Sequence, residues 1–129
     1  MNKLFLLAIL LFIFGNDFFS QSVDIYKTSS GELKITMIGW SGLKFEHNKK
    51  VIYVDPSIRK NSTVNPNYDT LAKADFIFIT HAHFDHFNID VIKKILKSDT
   101  KLIINQECTD ILGKSLGNIS ITTVINNKE

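Results

Sequence analysis

Residues 75–88, DFIFITHAHFDHFN, constrain this chain more than any other stretch: an apolar run ends in a segment with three histidines and an aspartate inside six positions. DFIFIT (75–80) reads as a strand whose nearly continuous apolar pattern is expected when both faces of a sheet are covered. After the cluster, Asn88 is placed to cap a helix over IDVIKKILK, where Ile89, Ile92, Ile95 and Leu96 recur at helical spacing and the lysines face away. An interior strand therefore carries the cluster to a sheet edge, and a helix anchors its other side. Sites are commonly built at such strand ends.

Spacing and donor type then suggest chemistry. In an extended backbone His81 and His83 project to the same side, with Ala82 leaving room between them. Two imidazoles so placed can share one cation. The side chains of Asp85 and His86 diverge, which suits a second cation or the far side of a common water. Imidazole with carboxylate favours zinc, manganese or iron over calcium or magnesium. The fourth histidine, His47, lies in the polar connection HNKK between two strands and reads as a turn residue.

Upstream, residues 33–39, 41–47 and 50–56 are short β-branched and aromatic runs that predict an antiparallel meander. SIRKNSTVNPNYDT (57–70) is polar and turn-prone and reads as a surface loop. Downstream, KLIIN (101–105), a short helix over 106–114 and ISITTVI (119–125) give a strand, helix, strand pattern. The fold class is α/β, with a mostly antiparallel or mixed sheet and flanking helices.

The N-terminus is of another kind. Lys3 precedes an unbroken apolar run, Leu4–Phe14, with Gly15, Asn16 and Asp17 after it and the small residues Ser20 and Ser22 beyond. Residues 1–22 have the form of a secretory signal peptide, too short for a bilayer span of about 20 residues. The expectation is an exported chain, residues 23–129, with no stable membrane anchor. Removing the leader takes one lysine and one aspartate, so the net charge stays +2 and suggests no nucleic-acid partner. The single Cys108 cannot form an internal disulfide and is expected on the buried side of the second helix.

His81-x-His83-x-Asp85-His86 after an apolar strand resembles the signature of the metallo-β-lactamase superfamily. KITMIGWSGLKFEHNKKVIYVDP resembles the opening of its ascorbate-phosphate lactonase-like branch, with Gly39-Trp40-Ser41 where Gly-His-Ser is usual. The resemblance implies an αβ/βα sandwich and a divalent metal, zinc with manganese or iron as alternatives, as one or two ions. It makes His81 and His83 ligands of a first metal, and Asp85 and His86 ligands of a second. Asp85 becomes the catalytic residue, and the activity implied is hydrolysis of a small ester, lactone or phosphoester. Asp55 would orient a ligand histidine; alternatively it merely ends a strand, since Pro56 predicts extended backbone there. Trp40 either alters the pocket wall or packs in the core.

The family's sites are completed by further histidines and an aspartate downstream, and no histidine follows His86. Residues 23–129 therefore resemble the N-terminal half of such a domain. Three readings follow: a hydrolase completed by a homodimer or by a missing C-terminal half, a non-catalytic metal-binding module, and an inactive remnant.

Overall fold

The computed structural model describes residues 22–63 and 65–124. The signal-peptide reading of 1–22 therefore falls almost wholly outside the described residues, as does the C-terminal NNKE. Among the described residues there are seven strands: β1 (Val23–Thr28), β2 (Gly31–Met37), β3 (Leu43–His47), β4 (Lys50–Val54), β5 (Phe76–Phe78), β6 (Lys101–Asn105) and β7 (Ser120–Val124). Helix α1 (Ile89–Ile95) joins β5 to β6, and α2 (Gln106–Leu112) joins β6 to β7. The strands form one sheet in chain order, antiparallel from β1 to β4 and parallel from β4 to β7. This is the mixed α/β sheet with flanking helices that the sequence predicts, with an additional first strand.

Local chemistry accounts for the joints. Asn48 and Lys49 both have positive φ, 47° and 61°, between the paired residues His47 and Lys50. Two such residues give the turn whose twist suits a β-hairpin. His47 serves that end of the sheet, with Nδ1 3.1 Å from the Glu32 carbonyl and Nε2 3.0 Å from Ser30 Oγ. It is the last residue of β3, paired with Lys50 at the start of β4, at the opposite end of the sheet from the histidine cluster. Asn88 accepts from Val91 N–H and Asn105 from Cys108 N–H, capping α1 and α2.

The core lies between one sheet face and the two helices. Tyr53, Ile77, Ile79, Leu102 and Ile104 meet Val91, Ile92 and Ile95 of α1 and Cys108 and Leu112 of α2. From β4 onward each parallel crossover moves to the next neighbour in the same direction. Because such crossovers are right-handed, both helices fall on the same face.

That topology corrects the expectation that both faces of residues 75–80 are covered. Ile77 and Ile79 are buried, whereas Phe78 is exposed. Phe78 belongs to an apolar row, Met37, Leu43, Val54, Phe78 and Ile103, that crosses five strands on the face opposite the helices. An unbroken apolar run did not distinguish a strand covered on two sides from one whose second face stays open.

Two further readings are corrected. Residues 57–70 are not wholly a surface loop: Ser57 and Tyr68 are buried, and a 3-10 turn spans Tyr68–Thr70. The Tyr68 hydroxyl donates to the Ser57 carbonyl at 3.0 Å, and burial pushes its ionisation upward. Strand β1 carries no comparable signal in the sequence, because it lies at the sheet edge with all six residues exposed and no buried stripe marks it. Cys108 is buried as expected, and burial raises its thiol.

Asp75, at the entry to β5, holds three elements together. Its carboxylate accepts from Lys97 Nζ at 2.8 Å, Lys50 Nζ at 3.1 Å and Val51 N–H at 2.8 Å. The Lys97 ammonium, followed by the Val51 amide, holds the carboxyl well below the usual carboxylate range. A depressed folded value means that the stabilisation is complete above the unfolded value, about 4, and is lost as pH falls below it. Asp75→Asn is therefore expected to melt below the parent at pH 6, with the gap narrowing as pH falls from 4 toward 2. A constant gap in thermal melts across that range would refute the assignment.

Candidate metal centre

The cluster is assembled where β4 and β5 end side by side. Asp55 follows β4 directly and is only 4% exposed. Its Oδ1 accepts from Thr80 N–H at 2.8 Å, and its Oδ2 accepts from Thr80 Oγ–H at 2.7 Å. Oδ2 also lies 2.9 Å from His86 Nδ1. One buried carboxylate thus ties the end of β4 to both ends of the histidine loop. Its backbone φ is 47°, not the extended conformation that Pro56 predicts. The surrounding hydrogen bonds over-determine that position, and Asp is among the residues that tolerate it.

These contacts fix where the ring protons sit. His86 Nδ1 faces a carboxylate and so carries the proton, which leaves its Nε2 lone pair free. Thr80 Oγ donates to Asp55, so its 2.9 Å contact with His81 Nδ1 requires the proton on that nitrogen and frees His81 Nε2. His81 Nε2 and His83 Nδ1 then lie 3.1 Å apart. Two nitrogens at about 2.0–2.1 Å from one tetrahedral zinc would be separated by about 3.3 Å. His86 Nε2 lies 3.9 Å from Asp85 Oδ2, so a lone pair faces a carboxylate oxygen. The Asp85 and His86 side chains approach one another in spite of their adjacent positions, contrary to the divergence read from the sequence. The rings of His81 and His86 are 3.9 Å apart, centroid to centroid.

The donor set suits a cation: Thr80 and Asp55 hold the Nδ1 protons of His81 and His86, which leaves both Nε2 atoms able to coordinate. The coordination is partial: among the described residues no three His, Cys, Asp or Glu side chains close around one point. His81, His83, Asp85 and His86 form two adjoining pairs, and Asp55 supports them from beneath.

Sequence reasoning gave no role to Thr80, Ser41 or Ser57. The hydroxyls of Ser41 and Ser57 both donate to the Asp85 main-chain carbonyl, pinning the middle of the histidine loop to the β2–β3 connection and to the segment after β4. The only hint was Ser41 in the Gly39-Trp40-Ser41 triplet. Trp40 does not pack in the core: it is 45% exposed, with the Arg59 guanidinium 4.6 Å above its ring. Beside Thr80, a cleft of about 590 Å³ opens at the C-terminal ends of β5, β6 and β7, lined also by Asn105, Gln106 and Glu107.

Gly42 sets the approach of Ser41. A Cβ there would lie 2.5 Å from the Ile38 carbonyl oxygen and 3.3 Å from that of Asp55. Both are backbone atoms, so the turn must move. Gly42→Ala is expected to cost about 1–3 kcal/mol, the usual range for forced overpacking. Denaturant titration measures this, and an unchanged midpoint would refute the close approach.

Comparison with known proteins agrees with this architecture. Residues 34–128 match the model of the beta-lactamase superfamily domain. UPF0173 metal-dependent hydrolases of Staphylococcus aureus strains MRSA252 and JH9 are each 35% identical over 85 residues, 66% of this chain and 36% of theirs. A crystal structure from Parabacteroides distasonis ATCC 8503, assigned as a metal-dependent hydrolase, superposes with a TM-score of 0.63 at 36% identity. That match covers 80% of this chain and 43% of the other. The chain thus spans about a third of the length of the curated relatives it matches. A mixed sheet with a histidine loop at the end of its first all-parallel strand, together with a family match over most of the sequence, places the chain in the metallo-β-lactamase superfamily.

Proposed function

We propose that this chain contributes the metal-binding half-site of an exported metal-dependent hydrolase acting on a small ester, lactone or phosphoester. His81 and His83 hold one divalent cation, Asp85 and His86 face a second position, and zinc is the metal that the donor set favours. The observation that carries the proposal is the convergence of His81 Nε2 and His83 Nδ1 to 3.1 Å, with the Nδ1 proton of His81 held by Thr80. The relatives, described as metal-dependent hydrolases, support the same reading for the activity.

A bound cation supplies Lewis acidity and lowers the pKa of water toward about 7. The residues of this chain do the rest. Asp55 keeps the His86 proton on Nδ1 and so keeps Nε2 directed at the site. Ser41 and Ser57 hold the Asp85 backbone, which leaves its half-exposed carboxylate able to accept a proton from the attacking water.

A second reading, a metal-binding module without turnover, is favoured by the absence of any three-donor group among the described residues. Elemental analysis of the purified full chain, run beside hydrolysis assays on lactone and phosphodiester substrates, separates the two. Stoichiometric metal with turnover supports the hydrolase, and metal without turnover supports the module. Metal-free protein after zinc incubation would overturn both.

A further inference from the structure

We infer that the cleft between Trp40 and Arg59 binds the anionic group, a carboxylate or a phosphate, of the molecule presented to the metal loop. Trp40 is one residue from Ser41, and Arg59 is two residues from Ser57. Those two serines grip the same Asp85 carbonyl. At about 3.3–3.6 Å per residue, both side chains start within about 7 Å of backbone from residues touching the histidine loop.

The cleft, about 220 Å³, is lined by Trp40, Arg59, Lys60, Asn61 and Ser62. It therefore carries two cations, and among the described residues neither is paired with a carboxylate. The Arg59 guanidinium lies 4.6 Å over the Trp40 ring. Stacking restrains it through the ring quadrupole while its N–H edges stay open to a ligand. A planar fork held in this way suits an oxyanion, and the exposed indole offers an apolar wall to the group attached to it.

The segment is built to hold that posture. Asn65 clamps both backbone groups of Arg59: Arg59 N–H donates to Asn65 Oδ1 at 2.8 Å, and Asn65 Nδ2 donates to the Arg59 carbonyl at 2.7 Å. Nδ2 also donates to the Ser62 carbonyl at 3.2 Å. A loop serving only as a connection has no need to fix the one arginine of the sequence against its one tryptophan. The inference rests on the proposed metal centre only in taking the bound anion to be part of a hydrolysed substrate.

Trp40 is the sole tryptophan, so its fluorescence reports the cleft directly. The full chain is titrated with inorganic phosphate, phenyl phosphate and benzoate at constant ionic strength, with bound metal measured on the same sample. A saturable change is expected, with Arg59→Gln weakening the response at least tenfold and Lys60→Gln weakening it less. Both side chains are exposed, so the variants keep the parent far-UV spectrum and melting point. A response led by the phosphates names a phosphoester, and one led by benzoate names a carboxylate; either supports the site. No saturable change, or one that Arg59→Gln leaves intact, overturns it. Metal bound without an anion response removes this inference alone, and an anion response in protein that takes up no metal removes the proposed function alone.

Discussion

His83→Ala is expected to abolish stoichiometric metal binding while leaving the apo fold unchanged. His83 is exposed, and its ring touches the rest of the site chiefly through Nδ1, 3.1 Å from His81 Nε2. Alanine therefore removes one of two converging nitrogens without opening a cavity. Losing a direct donor should cost more than the roughly 10–100-fold that loss of a supporting partner costs. A ligand that binds only the folded state stabilises it by about 2.7 kcal/mol at a hundred times its dissociation constant. The parent should therefore melt higher with excess zinc, and the variant should not. Elemental analysis and melting curves with and without zinc check this together; a zinc-dependent shift that survives in the variant would show that the pair is not the site.

Asp55→Asn should produce the next largest effect, and by another route. Asn tolerates the left-handed backbone at φ 47°, so the turn at the end of β4 can persist. What is lost is the charge and one acceptor. Asn offers a single oxygen where the carboxylate takes Thr80 N–H, Thr80 Oγ–H and His86 Nδ1–H. The amide nitrogen would meet a donor, which releases His86 or Thr80, and through Thr80 also His81. Metal affinity should fall by about 10–100-fold with the fold retained. Asp55→Ala should add a stability loss of about 1–3 kcal/mol, because buried donors are then left unmet and alanine is strained at that φ. Competition with a coloured chelator measures the affinity. An Asp55→Asn protein that binds zinc like the parent would show that Asp55 merely ends a strand.

Much of this protein could be read from local pattern. The motif residues 81–86, the strand leading into them, the Asn88 cap and the meander from β2 to β4 all depend on spacing between near neighbours, where backbone periodicity dictates which side chains share a face. The hairpin connection between β3 and β4 is of the same kind, although His47 itself closes β3 and Asn48 and Lys49 make the turn. By contrast, the edge strand β1 has no buried face to mark it, and the open second face of β5 follows from both crossovers falling on one side of the sheet. Neither is encoded in a local run of residues.

The site divides in the same way. Sequence by itself determined that three imidazoles and a carboxylate would leave a strand end together, because their order and spacing admit little else. Only the tertiary structure decided which nitrogens are free, since that depends on Asp55, 25 residues before Thr80 and 31 before His86, accepting protons from both. It also decided that Ser41 and Ser57 grip the Asp85 carbonyl and that Trp40 stacks under Arg59. Such contacts join residues distant in the chain, and their geometry exists only once the sheet has set β4 beside β5.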